Sequence, residues 1–119
     1  MTIAKRTPPP LADVAPFSPP PFEGHRLANG LTLRASRFGK RPTAAVSIVF
    51  PGAGSAADPE GEEGIADLAA ESFLSGTRRL SSRELAETID DLAAVLDVSA
   101  GTDSAVARLF ILEKDLDEG

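Results

Sequence analysis

The stretch Gly64-Ile-Ala-Asp-Leu-Ala-Ala-Glu-Ser-Phe-Leu-Ser-Gly-Thr77 predicts a buried helix. Apolar and small side chains recur in it at the spacing of one helix face, so we expect this face to contact a core. The residues of this face are Ile65, Leu68, Ala69, Ser72 and Phe73. Gly76 lies where a left-handed C-terminal cap would end the helix.

A neighbouring face of the same helix carries two acidic side chains. Asp67 and Glu71 are four positions apart, which brings their carboxylates to the same side of a helix. Like charges at this spacing destabilise a helix, so we expect a specific role to account for the pair. Ala70 and Leu74 complete this face. The acidic pair therefore marks a candidate functional position.

The stretch resembles the zinc-binding helix of the pitrilysin/insulinase family of zinc peptidases, the inverzincins. That helix has the form Gly-Leu-Ala-His-Phe-x-Glu-His-x-Leu-Phe-x-Gly-Thr, and its His-x-x-Glu-His supplies two zinc ligands and a general base. Residues 64–66 match the start of the pattern and residues 76–77 match its end, without a gap. This register fixes which residue of the chain stands at each catalytic position.

The resemblance implies that the catalytic residues have been replaced. Asp67 stands at the first histidine, Ala70 at the glutamate base and Glu71 at the second histidine. Ala70 has no group that could accept a proton, and the third family ligand is a glutamate expected beyond Gly119. We therefore expect no catalytic residue, no metal ligand and no cofactor on this chain. Asp67 and Glu71 are expected to bind arginine side chains or water, and a weak calcium or magnesium site there would have too few oxygen ligands.

Composition bounds the remaining possibilities. The chain has 119 residues, enough for one ordinary domain, and its lack of cysteine excludes disulfides and thiolate metal sites. Residues 1–50 carry seven basic and two acidic side chains, whereas residues 51–119 carry five basic and sixteen acidic ones. The acidic part offers no basic surface for nucleic acid. No signal sequence or transmembrane segment is visible, so we expect a cytoplasmic protein.

Two regions are predicted along the chain. Residues 1–23 hold seven of the ten prolines and predict an extended arm, either a flexible leader or one that packs its phenylalanines on a neighbouring surface. Residues 24–119 match the N-terminal part of a pitrilysin-like domain, and the resemblance implies an α+β fold with helices on one face of an antiparallel or mixed sheet. His25 is the only histidine, and we expect it to be a surface residue or a hydrogen-bonding partner rather than a metal ligand.

Local patterns predict the remaining elements. Asn29-Gly30 between alternating residues predicts a hairpin with a tight primed turn and one buried leucine face, and residues 43–50 predict a central strand buried on both faces. Residues 51–61 form a turn-rich connection, and its Glu60 with the adjacent Glu62 and Glu63 suits the first turn of the next helix and disfavours a phosphate site. Ser81 and Glu84 predict a capping box for a second helix with an apolar face. That face comprises Leu85, Ile89, Leu92 and Leu96.

The C-terminal segment predicts an antiparallel pair followed by an interrupted helix. Residues 94–100 and 103–112 are the two strands, separated by Gly101-Thr102, and residues 113–119 resemble the opening turns of a third helix. We therefore expect an incomplete domain, whose continuation or another chain covers a sheet edge and a helix face.

Two functional hypotheses follow from the resemblance. In the first, the chain is a non-catalytic subunit or fragment of a pitrilysin-like metallopeptidase. It would bind peptide, help to build the closed chamber and form a heterodimer with an active partner that retains His-x-x-Glu-His and its zinc. In the second, the chain is a scaffold or interaction fragment without a peptidase partner.

Overall fold

The computed structural model describes residues 16–119, which form parts of two compact units, residues 1–40 and residues 41–119. The first fifteen residues of the predicted arm lie outside the described residues. Residues 16–22 have no helix or strand, and the side chains of Phe17 and Phe22 are exposed. The predicted boundary between residues 23 and 24 stays a prediction.

The first unit contains the predicted hairpin. Strand β1 (Glu23–Arg26) pairs antiparallel with strand β2 (Thr32–Ala35). The prediction of a primed turn is wrong, because Gly30 has a φ of 88° while Asn29 does not have a positive φ. Instead, the backbone N–H of Leu27 bonds the carbonyl of Leu31 at 2.8 Å across a three-residue loop. A single left-handed glycine at the third loop position suffices for this wider turn.

The leucines of the hairpin do not form the predicted buried face. Leu27, Leu31 and Leu33 all have exposed side chains. His25 is also exposed, as predicted, and faces Leu33 across the two strands.

The second unit is built on a three-stranded antiparallel sheet. Its strands are β3 (Thr43–Pro51), β4 (Val95–Ala100) and β5 (Ser104–Leu112), in the order β3-β5-β4. The predicted pairing of the last two strands is confirmed. The prediction of a central strand at residues 43–50 is wrong, because β5 lies in the centre and β3 lies at the edge. An apolar run shows that a strand can be buried on both faces, but it does not show what covers those faces.

One face of this sheet is entirely apolar. Alternate residues of β5 point to it, and Ile111 among them is only 1% exposed. On the opposite face, the Arg108 guanidinium bonds the carboxylate of Asp97 at 3.3 Å and the hydroxyl of Ser99 at 3.1 Å. Both charged side chains are more than half exposed, so this ion pair contributes at most about 1 kcal/mol to stability.

Two helices follow β3 and precede β4 along the chain. Helix α1 (Ile65–Ser72) packs against β4, and helix α2 (Ser82–Asp91) follows it. The α+β fold class is therefore confirmed. In the part of the chain that the structure describes, every strand pairing is antiparallel.

Helix α2 begins at the predicted capping box. The Ser81 hydroxyl accepts the backbone N–H of Glu84 at 3.3 Å, and the Glu84 carboxylate accepts the backbone N–H of Ser81 at 2.8 Å. The Ser81 hydroxyl also donates to this carboxylate at 2.7 Å. These bonds lower the pKa of Glu84, first through the hydroxyl and then through the backbone N–H. Leu85, Ile89 and Leu92 are half-buried, whereas Leu96 belongs to β4.

Helix α2 ends in a Schellman motif. The N–H of Ala94 bonds the carbonyl of Ile89 at 3.0 Å, and the N–H of Ala93 bonds that of Asp90 at 2.9 Å. Ala93 occupies the left-handed position of this motif with a φ of 48°, where glycine is the usual residue. An L-alanine in this conformation carries backbone strain.

The predicted third helix is represented by one 3₁₀ turn. This turn spans Glu113–Asp115 and directly follows β5. The N–H of Leu116 bonds the carbonyl of Glu113 at 3.4 Å.

Candidate functional site

Helix α1 is shorter than the sequence predicts. It ends at Ser72, and Phe73 is its C-terminal cap residue in a right-handed conformation. Gly76 is therefore not a helix cap. It has a φ of 120° and forms a β-bridge with Ser81, where an added Cβ would lie 2.9 Å from the carbonyl oxygen of Leu80. The glycine is needed for this close backbone approach rather than for ending the helix.

A carboxylate from the preceding loop caps the N-terminus of α1. Asp58 accepts the backbone N–H of Gly64 at 2.7 Å and that of Ala66 at 3.0 Å, one with each oxygen. Gly64 has no side chain for this role, so Asp58 satisfies two of the free N–H groups from six and eight positions away. Its negative charge also lies at the positive end of the helix dipole.

The three glutamates predicted for the first turn lie before it. Helix α1 starts at Ile65, after Glu60, Glu62 and Glu63, and the acidic residue in its first turn is Asp67. Glu63 instead accepts the N–H of Gly61 at 3.2 Å. Hydrogen bonds from its own backbone N–H and then from that of Gly61 lower the pKa of Glu63.

The loop that carries Asp58 is fixed to the turn between β4 and β5. The N–H groups of Ser55 and Ala56 bond the carbonyls of Gly101 and Thr102, each at 2.9 Å. Gly54 is buried at this junction, and a Cβ added to it would lie 2.3 Å from the carbonyl oxygen of Thr102. Only glycine allows the two backbone segments to come this close.

The three residues that the resemblance places at the catalytic positions have different environments. Ala70 is the one buried residue of α1, at 8% exposure, whereas Asp67 and Glu71 are exposed. Within residues 16–119, neither carboxylate makes a hydrogen bond or an ion pair. The expected arginine partners are therefore not among the described contacts.

The predicted buried face of α1 is wrong. Ile65, Leu68 and Phe73 are exposed, with Leu68 at 63%. The more buried positions of the helix are Ala66 and Ala70, which are four positions apart. Leu74, two residues beyond the end of the helix, is half-buried as well. Small alanine side chains bring this face of the helix close to the sheet.

An open apolar hollow of about 380 Å³ lies between α1, the sheet and the loop before α1. Ala70 borders it, together with Phe50 of β3, Val98 of β4 and Phe73 at the end of α1. Ala70, which the resemblance places at the position of the general base, therefore faces apolar surroundings. A carboxylate in such surroundings would be desolvated, which disfavours its charged form.

The residues present do not fit a zinc ion. Zinc in catalytic sites takes three protein ligands, usually histidine with one carboxylate, and keeps a position for water. The helix offers only the carboxylates of Asp67 and Glu71. Among residues 16–119, no group of three or more His, Cys, Asp or Glu side chains could hold a metal ion. No metal-dependent step can therefore be assigned to these residues.

The sequence alone did not reveal the structural roles of Asp58, Gly54 and Ala93. Asp58 lies too far before the helix for a standard cap, and Gly54 lies in a loop whose glycines resemble those of an ordinary turn. Ala93 has a conformation that its residue type disfavours. An acidic residue before a helix that starts with glycine is the one signal that points to Asp58.

Comparison with protein families identifies the chain. The sequence profile of Insulinase (Peptidase family M16) matches residues 35–118. The match covers more than half of the chain, so this protein belongs to the insulinase family, peptidase family M16. Comparison with curated proteins gives no match.

Solved structures agree with this fold. Among 62 matching chains is the crystal structure of the peptidase M16 inactive domain from Pseudomonas fluorescens, with a TM-score of 0.73 and 23% sequence identity. The match covers 82% of this chain and 23% of that chain. The present chain therefore spans about a quarter of that relative. In the described part, no helix is long and apolar enough to cross a membrane.

Proposed function

We propose that this chain is the N-terminal part of a non-catalytic subunit of a two-chain M16 peptidase. The observation that carries the proposal is the composition of α1, where the resemblance aligns Asp67, Ala70 and Glu71 with His, Glu and His. The subunit binds extended peptide, and it docks an active partner that retains His-x-x-Glu-His. Zinc is held by that partner and supplies the activated water there.

The burial of Ala70 supports a non-catalytic role. A general base must reach the zinc-bound water, but the side chain at position 70 is a methyl group that borders an apolar hollow. The Pseudomonas fluorescens relative is itself an inactive domain, which adds support by analogy.

Exposed apolar side chains support a role in assembly. The large apolar side chains of β3 are all exposed, on one face of the sheet or the other. Val49, at 55% exposure, shares its face with the exposed side chains of Phe110 and Val95. Apolar patches of this kind mark surfaces that other protein covers. The partner chain and the continuation of the domain are the proposed covers.

Co-purification with activity measurement tests the proposal. The chain, produced with the residues that continue its domain, is mixed with a candidate M16 chain that contains His-x-x-Glu-His. We expect a stable complex that cleaves an unfolded peptide and loses this activity with a zinc chelator. The chain alone should not cleave the peptide. A scaffold without a peptidase partner would form no such complex, and chelator-sensitive cleavage by the chain alone would contradict both hypotheses.

A triple variant examines the replaced positions directly. Asp67→His, Ala70→Glu and Glu71→His together restore the family motif, but we expect no zinc-dependent turnover in the 119-residue chain. The restored motif supplies two ligands, and the glutamate introduced at position 70 would enter the apolar hollow. The double variant that keeps Ala70 is the matched control, because it restores both histidines without a buried carboxylate. Zinc-dependent turnover by the triple variant would contradict this reasoning.

A further inference from the structure

The hairpin loop between β1 and β2 contains a chemically reactive pair. Asn29 is the only asparagine of the chain, which has no glutamine, and it is followed by Gly30. Both residues are exposed. A Cβ added to Gly30 would meet no other atom within 4 Å, so the space beside this residue is open to solvent.

The hydrogen bonds of the loop hold the Asn29 side chain over the following peptide bond. Its Oδ1 accepts the backbone N–H of Leu31 at 3.1 Å. The carboxamide therefore bends back over the intervening residue, which brings its Cγ close to the backbone nitrogen of Gly30. The N–H of Leu31 also points at the oxygen that becomes negative when Cγ is attacked, as a donor in an oxyanion hole does.

We propose that Asn29 is a site of spontaneous deamidation, with the hairpin supplying the nucleophile and the oxyanion donor. The Gly30 nitrogen bonds to Cγ of Asn29, and the bond from Cγ to the side-chain nitrogen breaks. That nitrogen leaves as ammonia and takes the proton lost from Gly30. Water then opens the cyclic imide at either carbonyl, which gives aspartate or isoaspartate. The net reaction consumes one water and releases one ammonia.

A base from the solvent starts the reaction. The N–H of Gly30 donates to the carbonyl of Leu27 at 2.9 Å, and this proton must be removed before its nitrogen can attack. The rate therefore rises with pH. Because the loop is exposed, hydroxide reaches this proton when its hydrogen bond to the Leu27 carbonyl opens.

The products alter the hairpin. Isoaspartate adds one atom to the main chain between residues 29 and 30, which disturbs the bond between Leu27 and Leu31. Aspartate keeps the main chain but adds a negative charge. Because β1 and β2 pair over only four residues each, isoaspartate is expected to increase hydrogen exchange of their amides.

Mass spectrometry of the intact chain tests the proposal. The chain is incubated at neutral and mildly alkaline pH, in buffer and in urea. Conversion of a carboxamide to a carboxylic acid increases the mass of the chain, and this increase can come only from residue 29. We expect the native chain to gain this mass at least as fast as the unfolded chain, and peptide mapping to show isoaspartate. A slower gain in the native chain, or no gain in either state, would overturn the proposal.

A variant isolates the oxyanion donor. Leu31→Pro removes the N–H that Asn29 accepts, while the Leu31 carbonyl still accepts from Leu27. We expect the native rate to fall about tenfold, which corresponds to an activation barrier higher by about 1.4 kcal/mol. An unchanged rate would exclude the role of this N–H. Asn29→Asp is the control that gains no mass. If Leu31→Pro fails to fold, the comparison of the native chain with the chain in urea still tests the proposal, because it needs no variant.

Discussion

Replacement of Gly54 by alanine should destabilise the second unit through one steric conflict. The new Cβ would lie 2.3 Å from the carbonyl oxygen of Thr102 and 2.5 Å from that of Gly101. Gly54 has a φ of −104°, which alanine adopts freely, so no backbone strain contributes. Carbon and carbonyl oxygen normally stay about 3.3 Å apart or more, so the loop must retreat by about 1 Å.

This retreat breaks the bonds that hold the loop. The hydrogen bonds from Ser55 and Ala56 to Gly101 and Thr102, each 2.9 Å now, would lengthen beyond bonding range. Each bond contributes about 1 kcal/mol, and disturbed packing adds to the loss. We expect Gly54→Ala to lower the free energy of unfolding by about 2–4 kcal/mol.

Urea unfolding followed by far-UV circular dichroism measures this effect, since the chain has no tryptophan or tyrosine for fluorescence. Gly101→Ala is the matched control, because its Cβ would lie 3.5 Å from the nearest atom, the Ser104 carbonyl oxygen. The control should change stability by less than about 0.5 kcal/mol. If Gly54→Ala unfolded like the wild type and its Ser55 and Ala56 amides exchanged no faster, the steric argument would be refuted.

Three further variants test the ends of the helices by the same unfolding measurement. Asp58→Ala should destabilise α1 by about 1 kcal/mol through loss of its cap, and Asp58→Asn should lower the stability by less. Equal stability of the wild type and both variants would exclude capping by Asp58. Ala93→Gly should stabilise the chain by about 1 kcal/mol through relief of a left-handed alanine, and a lower stability would show that no strain exists there. Ser81→Ala should lower the urea midpoint and weaken its dependence on acid. The folded state favours the Glu84 carboxylate, so this stabilisation is present above the ordinary glutamate pKa and is lost as pH falls through the lowered one. An unchanged acid dependence would contradict the link to Ser81.

Elements set by neighbouring residues could be predicted from the sequence. The capping box needs only Ser81 and Glu84, three positions apart, and the strands β4 and β5 are joined by a short turn. The family could also be recognised, because residues 64–77 match its zinc helix without a gap. Each of these features depends on a pattern contained in a few consecutive residues.

Features set by backbone outside their own element could not be predicted in this way. The sequence predicts a helix cap at Gly76, although the close approach of this glycine is to backbone at residues 80–82. Gly54 and Asp58 have their roles because a loop meets a turn more than forty residues away. The edge position of β3 could not be predicted for a related reason. Its apolar side chains indicate which surfaces the strand can contact, but they do not indicate which strands lie beside it.

The acidic pair is only partly predictable from the sequence. Its spacing on α1 places Asp67 and Glu71 on one side of the helix, and both are exposed in the structure. The helical periodicity of the apolar residues predicts that the larger side chains of α1 form its buried face. The structure buries Ala70 instead, because only a small side chain allows the helix to lie close to the sheet.

The uncharged edge of strand β3 affects how the chain behaves in solution experiments. Its nine residues contain no charged side chain, and charge is the usual means by which an edge strand avoids pairing with another molecule. Two copies that pair through this edge would join their sheets into one continuous sheet of six strands. Protein concentration is therefore a variable in each experiment, and dilute samples with added charge near β3 favour the single chain.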